Sequence, residues 1–72
     1  MDTDVKKIIE ALEKAGFTVH ARNTAMAYRF ELYEDVDHAG VFYYDRGAIR
    51  FLEADQREKP DFKEKVRAAL CG

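Results

Sequence analysis

Residues 28–33 constrain the fold more than any other part of the chain. Their apolar and polar side chains alternate with period two, so Tyr28, Phe30 and Leu32 share one face of the segment. Such alternation is typical of a β-strand that buries one of its faces. The segment therefore predicts a sheet with a core on one side and an outward face on the other.

Further strand-like segments surround this one. Residues 17–22 form the first expected strand, and a tight turn at residues 23–24 leads into the second, which is expected to start near Ala25 or Met26. Residues 34–40 are rich in acidic side chains and end in glycine, which predicts a solvated loop after the second strand.

A β-hairpin is expected around Gly47, between strands at residues 41–44 and 48–52. If a three-residue turn closes the hairpin, with Gly47 in the left-handed conformation, Tyr44 pairs with Ala48. Phe42 then pairs with Arg50, and the face that carries Arg50 is expected to point outward, because a buried arginine without a partner is costly. Phe42 and Tyr44 share that outward face. The residues of this hairpin that are expected in the core are Val41, Tyr43, Ile49 and Phe51.

Two amphipathic helices are expected to flank the strands. Residues 4–15 place apolar side chains at helical spacing, and Gly16 follows as a residue suited to end a helix. A second apolar stripe begins near Pro60 or after a cap at Asp61. The order α-β-β-β-β-α predicts an α+β fold in a single domain, residues 1–72. Both helices are expected on one face of a four-stranded antiparallel meander.

Composition bounds the class of protein. The 72 residues include 12 basic and 14 acidic ones, a net charge of -2, which argues against a strongly basic nucleic-acid binder and against an acidic mimic of DNA. The only cysteine, Cys71, cannot form an internal disulfide, so a cytoplasmic location is expected. The acidic start does not resemble a signal peptide, and no apolar run is long enough to predict membrane association.

Residue types that support catalysis are sparse. His20 is expected on the outward face of the first strand, and His38 in the acidic loop beside Asp35 and Asp37. Neither histidine has a recognisable nucleophile or orienting partner, and the loop lacks the ligand number of a calcium or zinc site. Nothing around Cys71 predicts an activated thiol. The sequence therefore predicts no enzyme, no metal and no cofactor.

The outward face of the sheet is the candidate functional surface. It mixes arginine with aromatic residues, a composition that protein interfaces favour and that single-stranded RNA modules use for stacking and phosphate contact. Scattered aromatics also occur on strands without any function. A protein partner or a second copy of the chain, as a homodimer, is expected first; nucleic acid is the alternative. The candidate binding residues are Arg22, Arg29, Tyr33, Phe42, Tyr44 and Arg50.

Residues 8–17, with the sequence IIEALEKAGF, resemble the first part of HicA-type toxins. Those are small proteins related to double-stranded-RNA-binding domains, and they cleave mRNA. The family carries a small residue and a histidine shortly before an aromatic residue of its second strand; Thr24, Ala25 and Tyr28 occupy those positions here. Since Ala25 stands where the catalytic histidine would be, the resemblance implies an RNA-binding fold without ribonuclease activity. Membership of the family is not inferred.

Overall fold

A computed structural model describes residues 3–52 and 58–71. The elements are α1 (Thr3–Lys14), β1 (Phe17–Asn23), β2 (Tyr28–Glu34), β3 (Asp37–Asp45), β4 (Ala48–Phe51) and α2 (Phe62–Cys71). The four strands form one antiparallel sheet in the order β1-β2-β3-β4. The predicted α+β fold and its α-β-β-β-β-α meander are confirmed.

Both helices pack against the same side of the sheet, which we call the inner face. The apolar stripes of α1 and α2 meet inner-face residues of the strands in one cluster, as their helical spacing predicts. Phe30 and Phe42 stack at its centre, with ring centroids 4.8 Å apart. Each buried side chain of this size contributes about 1.5–3 kcal/mol to folding. The fully buried members of the cluster are Val5, Leu12, Phe30, Leu32, Ala39, Phe42, Phe62 and Val66.

The ends of the helices agree closely with the prediction. α1 is shifted by one residue from the expected range, and Gly16 follows it with a φ of 100°, which glycine adopts without strain. α2 begins directly after Asp61, as one of the two expected starts requires. Within residues 3–52 and 58–71, no helix combines the length and apolar character needed to cross a bilayer.

The connection between β1 and β2 is longer than expected. Thr24 closes it: the Thr24 N–H donates to the Ala27 carbonyl at 2.7 Å, and the Thr24 hydroxyl donates to the same oxygen at 2.6 Å. The Ala27 N–H in turn donates to the Thr24 hydroxyl at 3.1 Å. Because these local bonds stabilise a turn, β2 starts at Tyr28 rather than near Ala25 or Met26.

The acidic segment 34–40 is not the solvated loop that was expected. Glu34 pairs with Asp37, and the two residues between them form the turn, with Asp35 at a φ of 56°. Aspartate tolerates this left-handed conformation better than most residues, which allows so short a turn. The remaining residues belong to β3, where a register shift leaves Ala39 as the extra residue of a β-bulge.

The β3–β4 hairpin has a two-residue turn instead of the expected three-residue turn. Asp45 pairs with Ala48, and the turn residues Arg46 and Gly47 have φ angles of 51° and 85°. Two positive φ angles are the signature of a type I′ turn, whose twist matches that of the flanking strands. The expected pairing of Tyr44 with Ala48 is therefore wrong by one residue. Each β3 side chain of the hairpin consequently lies on the opposite face from the one predicted.

The corrected register moves two candidate binding residues to the inner face. Phe42 is fully buried in the core, and Tyr44 is partly buried against it. The Tyr44 hydroxyl donates to Asp4 Oδ2 at 3.4 Å. Their expected outward placement is wrong. Val41 and Tyr43, which were expected in the core, lie on the other face, although Val41 is fully buried there. The expected faces of β4 are confirmed, but Ile49, which was expected in the core, is 36% exposed.

Candidate functional site

The outer face of the sheet, opposite the two helices, carries side chains in rows that cross the strands. The pairing registers define a first row of Arg22, Arg29, Tyr43 and Arg50, one residue from each strand. We call these four residues the arginine row. The second row consists of His20, Glu31 and Val41, and the third of Thr18, Tyr33 and His38.

The arginine row concentrates positive charge along one line. Neighbouring strands are about 4.8 Å apart, so the row extends about 14 Å from Arg22 to Arg50. Arg22 and Arg29 lie directly opposite each other on β1 and β2, and like charges at such positions destabilise a sheet. Tyr43 lies between Arg29 and Arg50 and is partly exposed.

Only one of the three arginines of the row has an acidic neighbour within the part of the chain that the structure describes. Arg29 Nη1 is 3.8 Å from Glu31 Oε1, a weak contact between side chains that are 27% and 24% exposed. Arg22 and Arg50 are exposed and form no ion pair with any described residue.

An aromatic cluster surrounds Tyr33 of the third row and includes His20 of the second row. The ring of Tyr33 meets His20 at a centroid distance of 5.4 Å and His38 at 5.7 Å, both edge to face. His38 Nδ1 is 3.8 Å from Glu31 Oε2, and the His38 side chain is only 12% exposed. The expectation of a solvated loop histidine at position 38 is therefore wrong, whereas His20 is exposed on the outer face as predicted.

No metal centre accompanies these histidines in the described ranges. Within residues 3–52 and 58–71, no group of three or more His, Cys, Asp or Glu side chains is arranged to hold an ion. The cluster instead packs two imidazole rings against Tyr33, one row away from the second row and two rows away from the arginine row.

The structure separates the candidate binding residues into two groups. Arg22, Arg29, Tyr33 and Arg50 lie together on the outer face as expected, whereas Phe42 and Tyr44 belong to the inner face. Sequence reasoning missed Tyr43, which takes the place that those two were expected to fill. The signal for it was partial: Gly47 suits the positive φ that the second position of a type I′ turn requires, but Arg46 is not among the residues that favour the first, and that turn brings Tyr43 opposite Arg50.

Two grooves lie away from the outer face. One, of about 500 Å³, is bordered by the β1–β2 connection and the β3–β4 turn, with Tyr28, Tyr44 and Asp4 at its base. The other, of about 510 Å³, lies between the two helices and is lined by Asp4 and Lys7 as well as by the apolar side chains of Ile8, Ile49 and Leu70. Neither groove groups charged side chains as the arginine row does.

Comparison with known proteins gives no relative: no family model matches the sequence, and no curated protein or solved structure matches the chain. Ala25, at the position where HicA-type toxins carry their catalytic histidine, is an exposed residue of the β1–β2 connection. The function is therefore inferred from the outer face itself.

Proposed function

We propose that the protein is a non-enzymatic binding module whose outer face binds single-stranded nucleic acid. The observation that carries this proposal is the arginine row, Arg22, Arg29, Tyr43 and Arg50, aligned across all four strands. The sequence alone favoured a protein partner; the corrected hairpin register changes that order.

Phosphate contact is the first part of the proposal. A guanidinium group is planar, remains charged at all physiological pH values, and matches the oxygens of a phosphate with paired hydrogen bonds. Arg22 and Arg50 stand at the two ends of the row without a described acidic partner. A sugar-phosphate backbone that crosses the strands would meet both of them. The cost of placing Arg22 opposite Arg29 is offset when a phosphate lies between them.

Base stacking is the second part. Tyr43 lies between two arginines on an antiparallel sheet, and single-stranded RNA modules present aromatic rings on such a sheet to unpaired bases. Stacking of this kind contributes about 1–3 kcal/mol per base and tolerates any base. Because the bases of a duplex are already stacked on each other, this contact favours a single strand.

The case for a protein partner has weakened. It depended on an exposed apolar cluster formed by Phe42 and Tyr44, since such clusters mark interfaces. Both side chains pack on the inner face, and Val41, the apolar residue of the outer rows, is fully buried. Apart from Leu52, which follows β4 and is 38% exposed, the exposed residues that remain on this face are charged or polar, which suits a phosphate backbone. Although the net charge is -2, nucleic-acid binding requires only a local positive patch.

The proposal is tested by fluorescence anisotropy with a labelled single-stranded oligouridine, titrated at several salt concentrations. Three arginine contacts predict a slope of log K against log salt of about -2, at roughly -0.7 per phosphate on a single strand. The double variant Arg22→Gln with Arg50→Gln is expected to bind at least about ten-fold more weakly, with a slope near -0.7.

The matched control is Lys6→Gln with Lys14→Gln, which removes the same charge from exposed positions of α1. This control should bind like the unaltered protein. If both double variants lost the same amount of oligouridine affinity, the loss would be an effect of net charge alone. That result would refute the arginine row as a binding site. Lack of oligouridine binding at low salt would refute the proposal outright, and capture of a protein through Arg22 and Arg50 would replace it.

A further inference from the structure

The β1 strand has an edge that no described strand covers. It is the first strand in the order β1-β2-β3-β4, so its backbone pairs with β2 on one side only. The strand is seven residues long and continuous in register with β2, without a bulge, and its last four residues are exposed. Unpaired N–H and C=O groups along such an edge are a template for a further strand.

Most of the usual devices that protect an edge are missing from β1. Native edges are commonly short, bulged, or interrupted by proline or by charged side chains, lysine above all. The sequence of β1, FTVHARN, contains neither proline nor lysine, and its one formal charge is that of Arg22. The opposite edge differs, because β4 has only four residues. An edge as long and regular as that of β1 therefore favours pairing with a further strand.

We infer that this occupant is β1 of a second copy of the chain, paired antiparallel about a two-fold axis at His20. This register overlaps all seven residues of both strands. It sets Val19 opposite Ala21 of the second copy on the inner side, and Thr18 opposite Arg22 of the second copy on the outer side. Inner-face residues of one copy thus pair with inner-face residues of the other. The helices of both copies therefore lie on the same side of the combined sheet.

Features of β1 favour this pairing over other occupants. Apart from His20 at the axis, every ionisable side chain of β1 meets an uncharged one, so no permanent like-charge contact forms. Ala21 and Asn23 belong to the inner face by register yet are exposed, and they border a small groove with Val5, so α1 leaves that end of the strand partly open. Space for a second chain is therefore present on the helix side as well.

The pairing would extend the outer face beyond one chain. An eight-stranded sheet results, and the row Thr18, Tyr33 and His38 of one copy continues the arginine row of the other. The inference does not depend on nucleic-acid binding, because it concerns the edge and not the face.

Disulfide trapping tests the register without any nucleic acid present. In a Cys71→Ser background, His20→Cys places two thiols at directly opposite positions, where Cα atoms are about 4.5–5.5 Å apart, within the range that a disulfide spans. The matched control is Arg22→Cys in the same background, whose two copies would be about 14 Å apart along the strands. Under mild oxidation, His20→Cys is expected to form covalent dimers and Arg22→Cys to remain monomeric.

Light scattering across a dilution series provides the second readout. The two-fold axis creates two equivalent contacts between residue 18 of one copy and Arg22 of the other. Thr18→Glu should therefore strengthen association and Thr18→Lys should weaken it. The dissociation constants of the two variants should differ by about ten-fold. A monomer at every concentration would overturn the inference, as would equal cross-linking by His20→Cys and Arg22→Cys.

Discussion

Arg50 lies directly opposite Tyr43 on the outer face, and this single pairing fixes the faces of β3. Side chains alternate along a strand, so an outward Tyr43 requires an inward Phe42, and Phe42 is indeed fully buried against Phe30. The proposed binding surface and the core are thus determined by the same register. A change in one would necessarily change the other.

Alanine substitutions at adjacent positions of β3 should therefore affect different properties, stability at one position and binding at the next. Phe42→Ala is expected to lower the free energy of unfolding by about 3–5 kcal/mol, because it leaves a cavity in the core. Tyr43→Ala should cost about 1 kcal/mol or less and should weaken oligouridine binding instead. Urea denaturation and anisotropy measure the two effects. The reverse order of stabilities would mean that the three-residue turn is correct.

Gly40 and Phe62 form a contact that tolerates no larger side chain. A Cβ atom on Gly40 would lie 2.5 Å from Cδ2 and Cε2 of the Phe62 ring, which is too close for carbon atoms. Gly40→Ala should therefore destabilise the protein by about 1–3 kcal/mol through overpacking. Combining it with Phe62→Leu should cost less than the sum of the two single changes, since the smaller side chain leaves room. Additive losses would contradict this account of the glycine.

Glu31 should limit the affinity of the outer face. Its carboxylate lies 3.8 Å from both Arg29 and His38 and would repel an incoming phosphate. Glu31→Gln keeps the shape of the side chain, removes the charge and frees Arg29, so oligouridine should bind several-fold more tightly at low salt. Anisotropy at two salt concentrations measures the gain. An unchanged or weaker affinity would show that phosphate does not approach Arg29.

Lys65 ties the start of α2 to the end of β2. Hydrogen bonds to Glu34 and Asp61 raise the pKa of Lys65 above its ordinary value of 10.5, so the charged amine stabilises the folded state. A raised pKa in the folded state means that this stabilisation is complete below the ordinary value and is lost as the pH rises through the folded one. Lys65→Met should lower the urea midpoint at pH 7, and the difference should shrink above pH 10.5. A difference independent of pH would contradict the assignment.

Much of the fold was predictable because hydrophobic periodicity encodes it directly. The stripe of α1, including Val5 and Leu12, and the alternation of Phe30 and Leu32 in β2 each identify a buried face, and the structure buries all four. These patterns depend only on local geometry.

The register of β3 was not predictable in the same way, because it depends on the length of one turn. The prediction placed Arg50 outward correctly, and the face of β3 was then inferred through an assumed three-residue turn. The apolar run from Val41 to Tyr44 has no alternation of its own that could have corrected the error. An error of one residue in the length of the turn was therefore enough to place Phe42 and Tyr44, instead of Tyr43, on the proposed binding surface.

Gly40 shows a second limit of local patterns. In the sequence it ends an acidic segment and suggests a loop, but in the structure it lies within β3 beneath the ring of Phe62, twenty-two residues further along the chain. The need for glycine at this position comes from the ring of Phe62, so the residues next to Gly40 in the sequence do not reveal it.

Nuclear magnetic resonance of the uniformly ¹⁵N-labelled protein, titrated with oligouridine, tests the central claim most directly. The account predicts that the amide shifts that move most belong to the arginine row, Arg22, Arg29, Tyr43 and Arg50. Amides around Ile8 and Leu70, at the groove between the helices, should stay unchanged. Movement confined to that groove, or no movement at low salt, would contradict a nucleic-acid site on the outer face.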